Sequence, residues 1–251
     1  MNHCNWIGGL AAASLLFAAQ APAADLTVSA AASLTNAFNE IGKAYEQAQP
    51  GTKVLFNYGS SGSLLQQIAR GAPVDVFASA DLETMDRAQQ QNLIATDTRR
   101  DFVSNKLALV VPSDSKLQLN ALADLAGPQV QRIGVCSPDS VPVGRYAREA
   151  LELVGQWEAL KDKYIFGQNV RQVLDYVARG EVDAGFVYVT DAAVMKDRVR
   201  VVLRPQVKRP ILYPIAVVKG GGNEKAARSF LSFVQSEAGQ EILAKYGFSK
   251  P

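Results

Sequence analysis

From residue 25 onward the chain alternates short apolar runs with segments in which apolar positions recur every three or four residues. Leu26–Ala30 reads as a strand. Leu34, Ala37, Phe38, Ile41 and Tyr45 then fall on one face of a helix that stops at Pro50-Gly51. A second strand over Lys53–Asn57 leads to a short helix through Leu64, Leu65 and Ile68, closed by Gly71. Val74–Ala78 predicts a third strand, and Leu82–Gln90 a helix. Lys106–Val111 is an unbroken apolar run of the kind buried on both faces of a parallel sheet. A second series follows: strand Ile133–Cys136, helix Gly144–Val154, strand Tyr164–Phe166, helix Arg171–Arg179 and strand Ala184–Tyr188. Two more strands, Val199–Leu203 and Ile211–Val218, precede two closing helices. Ala226, Phe230, Phe233 and Val234 face inward on the first of these, and Ile242, Leu243 and Tyr246 on the last.

This order predicts an α/β protein with two Rossmann-like lobes and a ligand cleft between them. The strand spacing is too irregular for the eight equal units of a (β/α)₈ barrel. The expected crossings between lobes lie near Asn105–Lys106 and Leu212–Pro214, giving a first lobe of residues 24–105 plus 213–251 and a second of 106–212. No low-complexity linker separates them, so the crossings are strands.

Ahead of this pattern stands a different segment. Trp6–Ala19 is an apolar run of 14 residues followed by QAPAAD, in which Ala21 and Ala23 supply an A-x-A cleavage pattern. The run is short of the ~20 residues a membrane span needs. Residues 1–23 read as an export signal that places the mature chain in a bacterial periplasm, although MNHCN carries no Lys or Arg. Removing them takes away His3 and Cys4, so the mature chain keeps Cys136 and no histidine. That excludes His-based general base catalysis, His-ligated zinc, Cys-His nucleophile pairs and disulfides within the chain. Cys136, within RIGVCSPD, reads as a buried core thiol.

With 48% hydrophobic and 20% charged residues the chain is a folding one. A formal charge of +2 lacks the dense basic face of a nucleic-acid binder.

Four strand-to-helix junctions share a chemistry. Ala30–Ser33 places Ser33 at the expected N-cap of the first helix, Tyr58–Ser63 is rich in small hydroxyl residues, Val141–Arg145 opens a helix with Pro and Gly, and Gln168–Arg171 opens another. Taken singly, each has an ordinary structural role: Ser33 and Ser63 as N-caps, the glycines as turn residues, Pro142 as a helix starter. Together they offer hydroxyls and free backbone N–H groups at matching places in two lobes. Such donors suit a fully ionised oxyanion, whereas a protonated phosphate needs an acceptor they do not supply.

The segments AAASLTNAF (Ala30–Phe38), LLQQIARGAPVDVFASAD (Leu64–Asp81), VPVGRYAREAL (Val141–Leu151), GFVYVTDA (Gly185–Ala192), YPIAVVKG (Tyr213–Gly220) and ILAKYGF (Ile242–Phe248) occur in an order that resembles the periplasmic molybdate-binding proteins of ABC importers. The resemblance spans nearly all of the mature chain. It implies a periplasmic-binding-protein type II architecture and capture of molybdate, with tungstate, for delivery to a membrane permease. Carried over by position, it implies that Ser33 and Ser61 bind the anion through the first lobe. Val143 and Val170, through their backbone N–H groups, and Tyr188, through its phenol, bind it from the second. Ser60 is a neighbouring alternative within GSSGS. No cofactor, no metal-ligating side chain, no nucleic acid and a monomeric chain are implied. The family often has Ala at Val143 and a run of three serines where this chain has Ser60-Ser61-Gly62. A sulfate-type oxyanion is the alternative ligand.

An acyltransferase or hydrolase is the competing class. Ser113–Lys116 (SDSK) fits S-x-x-K, but it follows Pro112 instead of opening an apolar helix, and no K-T-G occurs later. Asp75, Asp81 and Asp86 crowd within a short stretch without EF-hand spacing, and Asp81 reads as an N-cap. The basic stretch Lys196–Arg209 reads as a solvated strand-loop face.

Overall fold

A computed structural model of the protein describes residues 25–251; the export signal read at residues 1–23 lies outside the described residues. In the first part of the chain, β1 (Asp25–Ala31), α1 (Thr35–Ala48), β2 (Lys53–Gly59), α2 (Ser61–Ala69), β3 (Val76–Ala78), α3 (Leu82–Gln90) and β4 (Arg100–Asn105) follow one another. Next come β5 (Leu107–Pro112), β6 (Ile133–Cys136), α4 (Pro142–Glu152), β7 (Tyr164–Gly167), α5 (Val170–Ala178), β8 (Ala184–Tyr188), α6 (Val189–Val194) and β9 (Val199–Leu203). The chain closes with β10 (Ile211–Val217), α7 (Glu224–Gln235) and α8 (Glu237–Lys245).

These strands form two five-stranded sheets, one per lobe, in the orders β2-β1-β3-β10-β4 and β7-β6-β8-β5-β9. The two orders are built alike. In each, a core strand pairs in parallel with both neighbours, β1 with β2 and β3, β6 with β7 and β8. The fourth strand, β10 or β5, runs antiparallel to both of its neighbours. Here the structure corrects the reading of Lys106–Val111. The run is buried along its length, as its composition requires, but it belongs to an antiparallel part of the sheet. A parallel partner needs a crossover helix to bring the chain back. β5 instead arrives directly from β4 of the other lobe, so it enters the second sheet in the opposite sense.

Two elements escaped the pattern. β4 has polar residues on most of its length and buries only Phe102 and Val103. α6 is a short helix directly after β8, too brief to show a helical period.

The first core is aromatic. Phe38 on α1 packs 5.8 Å from Phe102 and edge-on to Phe230 of α7, and Tyr45 sits 5.3 Å from Phe230. The inward face of α1 holds Ala37, Phe38, Ile41 and Tyr45, as its spacing predicts. On the closing helices Phe230, Val234 and Leu243 are buried, while Ala226, Phe233, Ile242 and Tyr246 border the core. The second core is mainly aliphatic: Val135, Leu151, Val173 and Val177 are free of solvent there, as is Phe186. Cys136 is buried and unpaired, and desolvation pushes its thiol pKa far up, so it stays an inert core thiol.

Candidate functional site

The turns at the carboxyl ends of β1, β2, β7 and β8, with the loop that follows β6, converge on a cavity of about 210 Å³ between the lobes, counting its mouth. Excluding the mouth it measures about 10 Å³, far below the roughly 300–1,000 Å³ of pockets that hold drug-sized molecules. Ser33, Ser60 and Ser61 line it from the first lobe, and Val143, Val170 and Tyr188 from the second. The structure therefore brings together every residue that the resemblance implied for the anion. Among the described residues no charged side chain lines the wall.

Ser33 is not the helix cap its position suggested. It lies in a 3-10 turn over Ala32–Leu34, Leu34 occupies the cap position of α1, and no side chain caps it. Its hydroxyl is instead 3.0 Å from the phenol of Tyr213 on β10. The Asn105 amide nitrogen donates to that same phenol oxygen at 3.3 Å and to Thr190 Oγ1 at 2.9 Å. Asn105 Oδ1 accepts the Lys106 N–H, which fixes the amide's orientation. The Tyr213 hydroxyl is free to donate to Ser33 Oγ while it accepts from Asn105, an arrangement that leaves the Ser33 O–H for the cavity.

The serine loop divides its work. Ser60, rather than Ser63, caps α2: its oxygen accepts the Ser63 N–H, and its proton goes to Ser63 Oγ at 2.8 Å. Ser61 is fully buried, and its Oγ accepts the Ala80 N–H at 3.0 Å, which leaves its proton free. Gly62 follows because the other lobe is close. Its N–H donates to the Ser140 carbonyl at 3.0 Å, and a Cβ there would sit 2.4 Å from the same oxygen.

The second lobe offers main chain. Pro142 starts α4, so Val143 brings the first available N–H among the donors that a helix start leaves unbonded. Gly144 lets the helix approach β6, since a Cβ would meet the Cys136 carbonyl oxygen at 2.3 Å. Asn169 caps α5 by accepting the N–H groups of Arg171 and Gln172, and this leaves the Val170 N–H free on the cavity wall. The helix dipoles of α2, α4 and α5, which begin here, favour a negative occupant.

Tyr188 closes the site. Its ring stands 6.5 Å from Tyr146 and 5.8 Å from Tyr213. Its hydroxyl is buried and has no hydrogen-bond partner among the described residues. Burial pushes the pKa of both Tyr188 and Tyr213 well above the usual phenol value, and the Asp191 carboxylate adds to this at each, so both remain protonated donors at neutral pH. An unpartnered buried hydroxyl costs about 1–3 kcal/mol, so the Tyr188 O–H marks a place for an acceptor. Tyr213 and Asn105 were not foreseen: no local pattern indicates that a phenol 180 positions away reaches Ser33.

Other candidates resolve into structure. Ser113 donates its hydroxyl to the Asp197 carbonyl in an exposed loop. Asp75 accepts the N–H groups of Thr27 and Asn223, Asp81 caps α3, and Asp86 pairs with Arg99. Among the described residues no group of three or more His, Cys, Asp or Glu could hold a metal ion. Within the basic stretch, Arg198 donates to the Ala178 carbonyl and Arg200 to those of Ser115 and Leu117.

A cavity walled by neutral donors can hold a small, fully ionised oxyanion. The comparisons with known proteins agree with this chemistry. The molybdate-binding protein ModA of Haemophilus influenzae is 36% identical over 91% of this chain and 91% of its own, and that of Escherichia coli 35% identical over 97% and 98%. The structure of the periplasmic molybdate-binding protein of Azotobacter vinelandii superposes with a TM-score of 0.77 over 90% of this chain and 99% of its own at 23% identity, a likeness of fold. The profile of the bacterial extracellular solute-binding proteins matches residues 26–249, and the chain belongs to that family.

Proposed function

We propose that the protein captures molybdate, and tungstate with it, in the periplasm and delivers it to the permease of an ABC importer. It acts as a monomer after removal of residues 1–23. Ser33 and Ser61 donate to the anion from a first lobe of residues 24–105 plus 213–251. The N–H groups of Val143 and Val170 and the Tyr188 phenol reach it from a second lobe, 106–212, when the cleft closes. Ser60 is the weaker candidate of the serine pair, because its proton is already given to Ser63. The reading rests above all on the unpartnered Tyr188 hydroxyl at a cavity walled by donors and free of charged side chains. Such a wall disfavours an oxyanion that keeps a proton, because no carboxylate faces it and the Ser60 and Ser61 oxygens already accept backbone N–H groups. Catalysis has no part in this scheme. The named binding activity of the relatives supports molybdate over sulfate, which carries the same charge and shape class.

Isothermal titration of the mature protein with molybdate, tungstate, sulfate and phosphate tests this. Tight binding of the first two, with sulfate weak and phosphate silent, is expected. Tight sulfate binding with no response to molybdate would overturn the ligand, and silence toward all four would overturn the class.

A further inference from the structure

Arg171, the second residue of α5, directly follows Val170 and divides its guanidinium between the lobes. On its own lobe its Nε lies 2.6 Å from Oδ1 of Asp191, a residue of α6 with no solvent exposure. The N–H is not aligned with that oxygen, so this is an ion contact rather than a hydrogen bond. The other Asp191 oxygen accepts the Tyr188 N–H at 3.3 Å. Across the cleft Arg171 Nη1 donates to Asn36 Oδ1 on α1 at 2.8 Å, and Nη2 to the Ser33 carbonyl at 3.3 Å. One ion pair thus touches Tyr188 and Ser33 and adjoins Val170, on both sides of the cavity.

The division of contacts carries the argument. The Asp191 contact lies within one lobe and persists whatever the lobes do, whereas the two Nη bonds need both lobes together. A guanidinium is a planar fork with its donors in fixed directions, so holding the Nε edge aims both Nη groups. Asp191 also balances the charge, so what the pair brings to the site is register. Without Arg171 the buried carboxylate would lose its cation, which explains why the two stand together.

We infer that Arg171, held by Asp191, is a positioning residue that reads closure: it sets the Val170 N–H and Tyr188 opposite Ser33 and keeps the lobes together once the anion has drawn them in. The inference rests on the anion-capture reading above. It assigns Arg171 to the dissociation step, because its cross-cleft bonds form after the anion is seated and must break before it leaves.

Asn36→Ala removes one cross-cleft acceptor and leaves the ion pair untouched. Arg171→Lys keeps the charge beside Asp191 and loses the fork. Stopped-flow intrinsic fluorescence with molybdate, read beside the melting temperature without anion, separates the possibilities. Asn36→Ala is expected to speed molybdate dissociation by about tenfold, the size of one hydrogen bond to a charged group, at an unchanged association rate and unliganded melting temperature. Arg171→Lys is expected to speed it at least as much. Wild-type dissociation rates in both variants would overturn the inference, as would a loss confined to association. A wild-type protein that binds none of the oxyanions would overturn the capture reading itself, and the role of Arg171 with it.

Discussion

The two halves of the cavity solve one problem with different chemistry. The first lobe presents side-chain hydroxyls, each oriented by a neighbour: Ser33 through Tyr213 and Asn105, Ser61 through the Ala80 N–H. The second presents main-chain N–H groups at the starts of α4 and α5, and one phenol without a partner. A hydroxyl is both donor and acceptor, so it must be told which to be, and the first lobe carries the buried network that does so. A backbone N–H can only donate and needs only to be left free, which Pro142 and Asn169 achieve by their positions. The first half is therefore exposed to mutation at a distance from the anion, and the second mainly at residues that set backbone geometry.

This contrast can be broken where it is strongest. Ser33→Ala and Tyr188→Phe each remove a buried donor to a charged group and should each weaken molybdate binding by about 1.5–3 kcal/mol in a calorimetric titration. Unchanged affinity in both would remove them from the site. Gly62→Ala should come next. The added methyl meets the Ser140 backbone and keeps the lobes from closing, at a cost typical of overpacking, ~1–3 kcal/mol in affinity. The unliganded protein should melt no lower, since alanine favours the first turn of α2. A fall in unliganded stability with full affinity would mean that Gly62 serves folding instead of closure.

A smaller effect tests the relay. Tyr213→Phe leaves the Ser33 hydroxyl free to turn and is expected to weaken the anion by about 0.5–1.5 kcal/mol, less than Ser33→Ala. An equal or larger loss would place Tyr213 itself in contact with the ligand. The smallest expected change is with pH. Both phenols are raised by burial, so they stay protonated donors below the usual phenol pKa of about 10 and lose their proton only as pH climbs beyond it. Affinity should stay flat from pH 7 to 9, and a steep fall there would show a titrating group in the cage.

The same contrast explains what was legible in the sequence. The βα alternation, the apolar face of α1 and the Pro-Gly start of α4 are local patterns, and each predicted its element. The serines of the first lobe could be located but not assigned. Whether Ser33 caps a helix or faces a ligand depends on Tyr213, and Ser60 and Ser61 are told apart only by whose N–H each one accepts. β4 went unread because its polar residues gain their pairing from β10, more than a hundred positions later. The antiparallel sense of β5 depends on which sheet the chain has just left.

By itself, the sequence determined the order of elements, the absence of imidazole chemistry from residue 25 onward and the supply of neutral donors at strand ends, because these follow from short-range periodicity and from side-chain inventory. The tertiary structure alone decided which donors are free. It turned Ser33 away from capping, used up the Ser60 proton, left the Tyr188 hydroxyl without a partner and set Arg171 across the cleft. A donor's availability is a matter of which acceptor stands within 3 Å or so, and that is fixed by packing between segments far apart in the chain.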